Sequence, residues 1–181
     1  MSFLISLADR IDWLNERIGR ALSWLVLFTV VTAAAVSILR YVFSIGWVWM
    51  QDAYVWANAT LIMMGCAYTL LHDKHVRVDF IYASRSSRFR AGVNFFGTLF
   101  LLIPTTITIF WYSYPYVGKS WARLESTPDV GGLPFVYLLK TVIVLFCIPL
   151  LAQGISLLIR SYLQLVGLTE EDAQHGGPAN V

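Results

Sequence analysis

A chain of 181 residues that is 57% hydrophobic and only 13% charged carries about half the charge of an ordinary soluble domain. Its charges fall in blocks between long apolar runs, which excludes a separate soluble catalytic domain and points to a polytopic membrane protein. The formal net charge of +2 gives no reason to expect a nucleic-acid partner.

The opening, MSFLISLADRIDWLNERIGR, has no basic start and places acidic residues where a signal peptide keeps its apolar centre, so it is not read as one. Leu4, Leu7, Ile11, Leu14 and Ile18 recur at spacings of three and four, with Asp9, Asp12, Glu16 and Arg20 mostly off that stripe. The spacing predicts an amphipathic helix over about residues 3–19. Two readings fit it: a helix lying flat in the membrane interface with Trp13 at headgroup depth, or a helix packed on the cytoplasmic face of a partner.

Four apolar runs follow. The first predicts a span over about 21–40, closed by Arg40 and Tyr41. The second covers about 53–71 and contains Asn58; the third covers about 92–117 with Pro104 inside it. The fourth covers about 133–159 and contains Lys140, Pro149 and Gln153. Continuous runs of this length exclude a β-barrel, so the fold class is all-α, with four transmembrane helices and the N-terminal amphipathic helix. Pro104 and Pro149 are expected to bend their helices, and Lys140 to sit at the hydrocarbon edge, its stem snorkelling. Asn58 is the best candidate for a helix-to-helix hydrogen bond and Gln153 the next, each worth about 1 kcal/mol. Ala53 and Ala57 form a small-xxx-small pair. Cys66 and Cys147 both lie in apolar runs and read as packing residues, not a disulfide. Residues 1–165 are thus expected to form a single membrane domain, and 166–181, ending QHGGPANV, a disordered tail.

Loop charges set the orientation. Arg10, Arg17 and Arg20 precede the first span, Lys74, Arg77, Arg85, Arg88 and Arg90 lie between the second and third, and Arg160 follows the fourth. The other side holds only Arg40, Lys119, Arg123 and Lys140. The positive-inside rule then puts both termini in the cytoplasm. Trp47, Trp49 and Trp56 surround the start of the second span, and Trp111, Tyr112, Tyr114, Tyr116 and Trp121 the end of the third, as an interfacial aromatic belt would.

The most polar stretch is LLHDKHVRVDF, residues 70–80. His72, Asp73, His75 and Asp79 are a poor metal set, because the remaining histidine, His175, is in the tail and no cysteine is near. No histidine lies inside a span to hold haem, no HExxH occurs, and no acidic residue lies deep in a span to relay ions. No metal, cofactor or enzymatic activity is therefore expected. Four spans without a translocation path suggest an accessory subunit of something larger, either a transporter or another membrane complex for which the chain is an anchor or assembly factor.

The run YTLLHDKHVRVDFIY resembles the signature of the small membrane subunit, the DctQ-like four-span component, of tripartite ATP-independent periplasmic (TRAP) transporters. Arg40, Tyr41, Val42 and Phe43 are similar to the "RYVF" that closes the first span there, and Trp49 to Asp52 to the tryptophan-plus-acid start of its second, where glutamate is common. Gly65, Ala67 and Tyr68 resemble its "LGAAYTL" stretch, and His75, Val76, Arg77, Val78 and Asp79 its "HVRVD". Trp121, Glu125, Ser126, Pro128, Asp129, Gly132, Leu133, Pro134 and Lys140 resemble the dicarboxylate or mannitol/chloroaromatic branch. The resemblance runs from about Leu14 to Arg160.

That resemblance implies a bacterial inner-membrane subunit bound to a large elevator-type permease subunit, which holds the sodium and substrate sites. A soluble periplasmic binding protein delivers an organic acid or related solute, and the sodium gradient drives uptake. It also implies inter-subunit or structural roles for Arg40, Asp52, His75, Arg77 and Asp79, beside Asn58, which its place within a span marks for such a role. Arg77 and Asp79, two apart, share a face in an extended loop and with His75 either brace the turn after the second span or stand exposed to solvent. Lys119, Arg123, Glu125 and Asp129 are expected to offer a docking rim to the binding protein, where charge steers encounter. Trp13, Trp47, Trp49 and Trp121 are expected as interfacial anchors in contact with lipid.

Overall fold

A computed structural model describes residues 2–72 and 87–167. The expectations for Asp73, Lys74, His75, Arg77 and Asp79, and for the tail from residue 168, lie outside these. The described residues are helical with short connections and form no strand. Four helical stretches, Phe3–Val42, Val48–Leu71, Arg88–Ala122 and Val136–Val166, are long and apolar enough to cross a membrane. In hydrocarbon each backbone N–H and C=O must bond within its own segment, so runs of this composition become helices.

Helix α1 is Ser2–Val42, 41 residues without a break. The expected amphipathic helix and the first span are therefore one helix. Only the single Gly19 stands between the two patterns, and Arg17 and Arg20 are good helix formers. Its end is a left-handed cap: Phe43 and Ile45 N–H both reach the Leu39 carbonyl, at 3.2 and 2.9 Å, with Ser44 at φ 56°. Arg40 lies in the last turn, where a cation suits the helix dipole.

Helix α2 is Val48–Leu71. The third span begins as α3, Ser87–Gly97, passes through a π-helical turn, Thr98–Leu102, and continues as α4, Ile103–Ala122. The π turn lies just ahead of Pro104, which has no N–H for the Phe100 carbonyl; Ile103 N–H reaches back five residues to Thr98 instead. The fourth span is α5, Val136–Leu145, and α6, Cys147–Val166. They are parted at Phe146, ahead of Pro149, which likewise leaves the Leu145 carbonyl without its helical donor.

The chain divides into two compact units, residues 1–16, 67–108 and 148–181 in one and 17–66 with 109–147 in the other. In the first, Ile5 packs on Leu163 and Ile159. A side chain at Gly154 would stand 2.8 Å from Leu102 Cδ2 and 3.6 Å from Thr98 Cγ2; its absence lets α6 lie close to the π turn. The buried face of α1 in this unit is Ile5, Ala8 and Asn15. Of the apolar stripe read from the sequence, Leu4, Leu7 and Leu14 are exposed and Ile11 and Ile18 half-buried; Trp13 is exposed. The surroundings of a membrane protein are oil, so exposed leucines there are not misplaced. In the second unit Val36, Ala57, Val117 and Cys147 are buried. Cys66 and Cys147 are free thiols.

Candidate functional site: two polar clusters that tie the spans

Each unit holds a polar cluster. In the first, Asp12 of α1 faces α6, where Gln153, Ser156 and Arg160 follow one another at spacings of three and four. Its Oδ1 accepts from Gln153 Nε2 at 2.9 Å and from Ser156 Oγ at 2.7 Å. Its Oδ2 accepts from Arg160 Nε at 3.0 Å and Nη2 at 2.7 Å. Arg160 Nη2 also donates to Asp9 at 2.9 Å. One turn along, Asn15 Nδ2 donates to Gln153 Oε1 at 2.6 Å and to the Pro149 carbonyl at 3.3 Å. Ser156, Asn15 and Gln153 are 0, 2 and 4% exposed, so these bonds are made away from solvent and their loss would be strongly destabilising. Glu16, on the same helix, bonds His72 Nε2 at 2.8 Å, and Tyr68 meets the His72 ring edge-on at 4.4 Å. That contact fastens the end of α2 to α1.

In the second unit the connection between α4 and α5 is folded back onto the helices. Asp52, in the first turns of α2, accepts the Leu133 N–H at 2.9 Å. The loop closes on itself through Gly132 N–H to the Asp129 carbonyl at 3.1 Å. Gly132 has no room for a side chain: a Cβ would meet Thr127 Cγ2 and lie 2.6 Å from Asp52 Oδ2. Nearer α4, Leu124 at φ 44° turns the chain and brings Glu125 back. Glu125 Oε2 accepts from Ser120 Oγ at 2.7 Å and from Lys140 Nζ at 2.6 Å. The Lys140 ammonium also stands 4.3 Å from the centre of the Tyr116 ring. With its side chain 15% exposed, Lys140 meets its counter-charge within the chain. The Lys140 bond, then the Ser120 bond, hold the Glu125 carboxyl below its ordinary 4.5. Trp121 Nε1 donates to Thr141 Oγ1 at 2.8 Å, and its ring packs edge-on to Tyr137 at 4.7 Å.

The residues singled out from the sequence therefore separate. Asp52 and Glu125 are tied into the folded connection. Lys119, Arg123 and Asp129 are exposed, so of the four expected on a docking rim Glu125 alone is engaged internally. Arg40 and Asn58 are exposed, and Asn58 makes no hydrogen bond to any described residue. Trp13, Trp47, Trp49 and Trp121 are all about half exposed, Trp47 and Trp49 stacked at 6.3 Å. Of the cluster around Asp12, sequence reasoning picks out Gln153 as an inter-helix hydrogen-bonding residue and misses the rest, although the 153, 156, 160 spacing opposite Asp9, Asp12 and Asn15 carries the signal.

Of the six described carboxylates, Asp9, Asp12, Glu16, Asp52 and Glu125 each accept a bond from a group of this chain, and Asp129 lies in the exposed loop. This arrangement fastens helices and connections to one another and offers no set of open carboxylates to a travelling ion.

A family model described as "Tripartite ATP-independent periplasmic transporters, DctQ component" matches residues 28–166. No curated protein and no solved structure matches the chain.

Proposed function

The chain belongs to the DctQ-component family of tripartite ATP-independent periplasmic transporters, and from that premise we propose that it is the small permease subunit that holds a large elevator-type permease subunit in the bacterial inner membrane. Solute, an organic acid or a related compound, is delivered by a periplasmic binding protein and taken up with sodium, and both termini lie in the cytoplasm. A component of this family is part of a transporter and not an enzyme.

The observation that carries this reading is the internal pairing of five of the six described carboxylates. A self-contained carrier needs open polar groups within its spans, because a bare ion or carboxylate in hydrocarbon is costly. Here the charges near the spans are used in joining α1 to α6 and the α4–α5 connection to α2 and α5. Such joints suit a part that stays still while another moves. The exposed Lys119, Arg123 and Asp129 support a docking rim on the face that meets the binding protein. His75, Arg77 and Asp79 are proposed to brace the turn after α2.

The test is genetic. Cells carrying the large subunit and the binding protein are assayed for solute uptake with and without this chain. Uptake that disappears without it and returns when it is supplied supports the reading; full uptake in its absence would overturn it.

A further inference from the structure

Asn58 lies on α2 ten residues past Val48 and thirteen before Leu71, about 15 Å from one end of the helix and about 20 Å from the other. In a hydrocarbon layer about 30 Å thick that is close to the midplane. Many other polar groups within these helices are satisfied at home, although the buried Thr29 Oγ1 has no partner among the described residues. Ser23, Ser37, Thr106, Thr108 and Thr141 each bond the carbonyl four residues back, at 2.7–3.2 Å, and the Asn15 and Gln153 amides meet each other. The Asn58 amide is exposed and makes no bond to any described residue. Lipid tails offer it neither donor nor acceptor, so something else must.

Its neighbours define a face. Val55 and Ile62, three residues before and four after, lie on the same side of the helix and are 51 and 62% exposed. Exposed apolar residues alone name no occupant, since at most 33% of any span window is buried within this chain and lipid accepts the rest. The amide asks for a protein group that can exchange hydrogen bonds with it. Resting on the reading of the chain as a small permease subunit, we propose that Val55, Asn58 and Ile62 form the face on which a transmembrane segment of the large subunit packs. In this arrangement Asn58 exchanges hydrogen bonds with a polar side chain or an open backbone carbonyl of that segment.

The experiment uses the intact co-expressed complex. A photoreactive phenylalanine derivative is placed at Val55 or Ile62, and the complex is irradiated and resolved for covalent products. In parallel, Asn58→Leu and Asn58→Gln are compared for the amount of large subunit retained after prolonged washing in detergent. Helicity and monodispersity of each variant chain are checked alone. The expected result is a cross-link from both positions to the large subunit, a loss of affinity of roughly three- to fifteen-fold in Asn58→Leu, and substantial recovery in Asn58→Gln. Cross-links only to lipid or to a second copy of this chain, with Asn58→Leu retaining the large subunit as the wild type does, would overturn the assignment while leaving the subunit reading intact. A wild-type chain that never retains the large subunit would overturn both.

Discussion

Replacing Asp12 with alanine removes four hydrogen bonds, from Gln153 Nε2, Ser156 Oγ and two guanidinium nitrogens of Arg160. The contributions differ. Gln153 and Ser156 are nearly or fully buried, and a buried donor left without an acceptor costs about 1–3 kcal/mol. Ser156 recovers part of this by turning its hydroxyl to the carbonyl one helical turn back, as those of Thr106 and Thr141 do. Arg160 is 30% exposed and keeps Asp9, so its share is well below that of a fully buried broken pair. The sum is about 3 kcal/mol, or roughly 6–12 °C in the unfolding midpoint of a chain of this size. An asparagine side chain retains one acceptor oxygen and loses the charge, so Asp12→Asn should fall between. The assay is thermal unfolding of the purified chain in detergent, completed as a double-mutant cycle with Arg160→Gln. A shift of less than about 1 °C in Asp12→Ala, or no coupling in the cycle, would refute the claim that this cluster fastens α1 to α6.

Gly132→Ala should cost about 2 kcal/mol by pushing Asp52 off the Leu133 N–H, seen as faster proteolysis of the α4–α5 connection, and Asp52→Ala should add little on top of it. The Glu125 joint should be pH-dependent. Its folded-state carboxyl is held below 4.5 by Lys140 and then Ser120, so its contribution is complete above about pH 4.5 and is lost as the pH falls through that lowered value. Wild type and Lys140→Gln, compared by unfolding midpoint from about pH 7 to about pH 3, should therefore converge toward the acid end. Gly154→Leu should lower the midpoint through overpacking by about 1–3 kcal/mol, because even a Cβ there stands 2.8 Å from Leu102 Cδ2.

The four spans were legible because hydrocarbon admits only helices and the apolar runs are long. Pro104 and Pro149 were legible too, although the remedy at Pro104, a π turn over Thr98–Leu102, was not, and Pro115, which stands inside α4, drew no notice. In the N-terminal segment the apolar stripe was legible and the polar contact was not. Leu4, Leu7 and Leu14 stand exposed, as a membrane interface or a partner's face would leave them. Here the contact face carries Asp12 and Asn15, and the leucines point outward, because the surroundings are apolar as well. The pairing of Lys140 with Glu125 spans a connection whose path depends on the left-handed backbone of Leu124, a residue type that gives no hint of it. Asn58 was legible as a polar residue in need of a partner; that no described residue of the same chain supplies one required the structure.

In the proposed role this chain holds a transporter together and does not itself carry solute. Purified chain is placed in liposomes with an inward sodium gradient, binding protein and its solute, with and without the large subunit. Sodium-dependent accumulation only when the large subunit is present is the predicted result. Accumulation driven by this chain alone would contradict it.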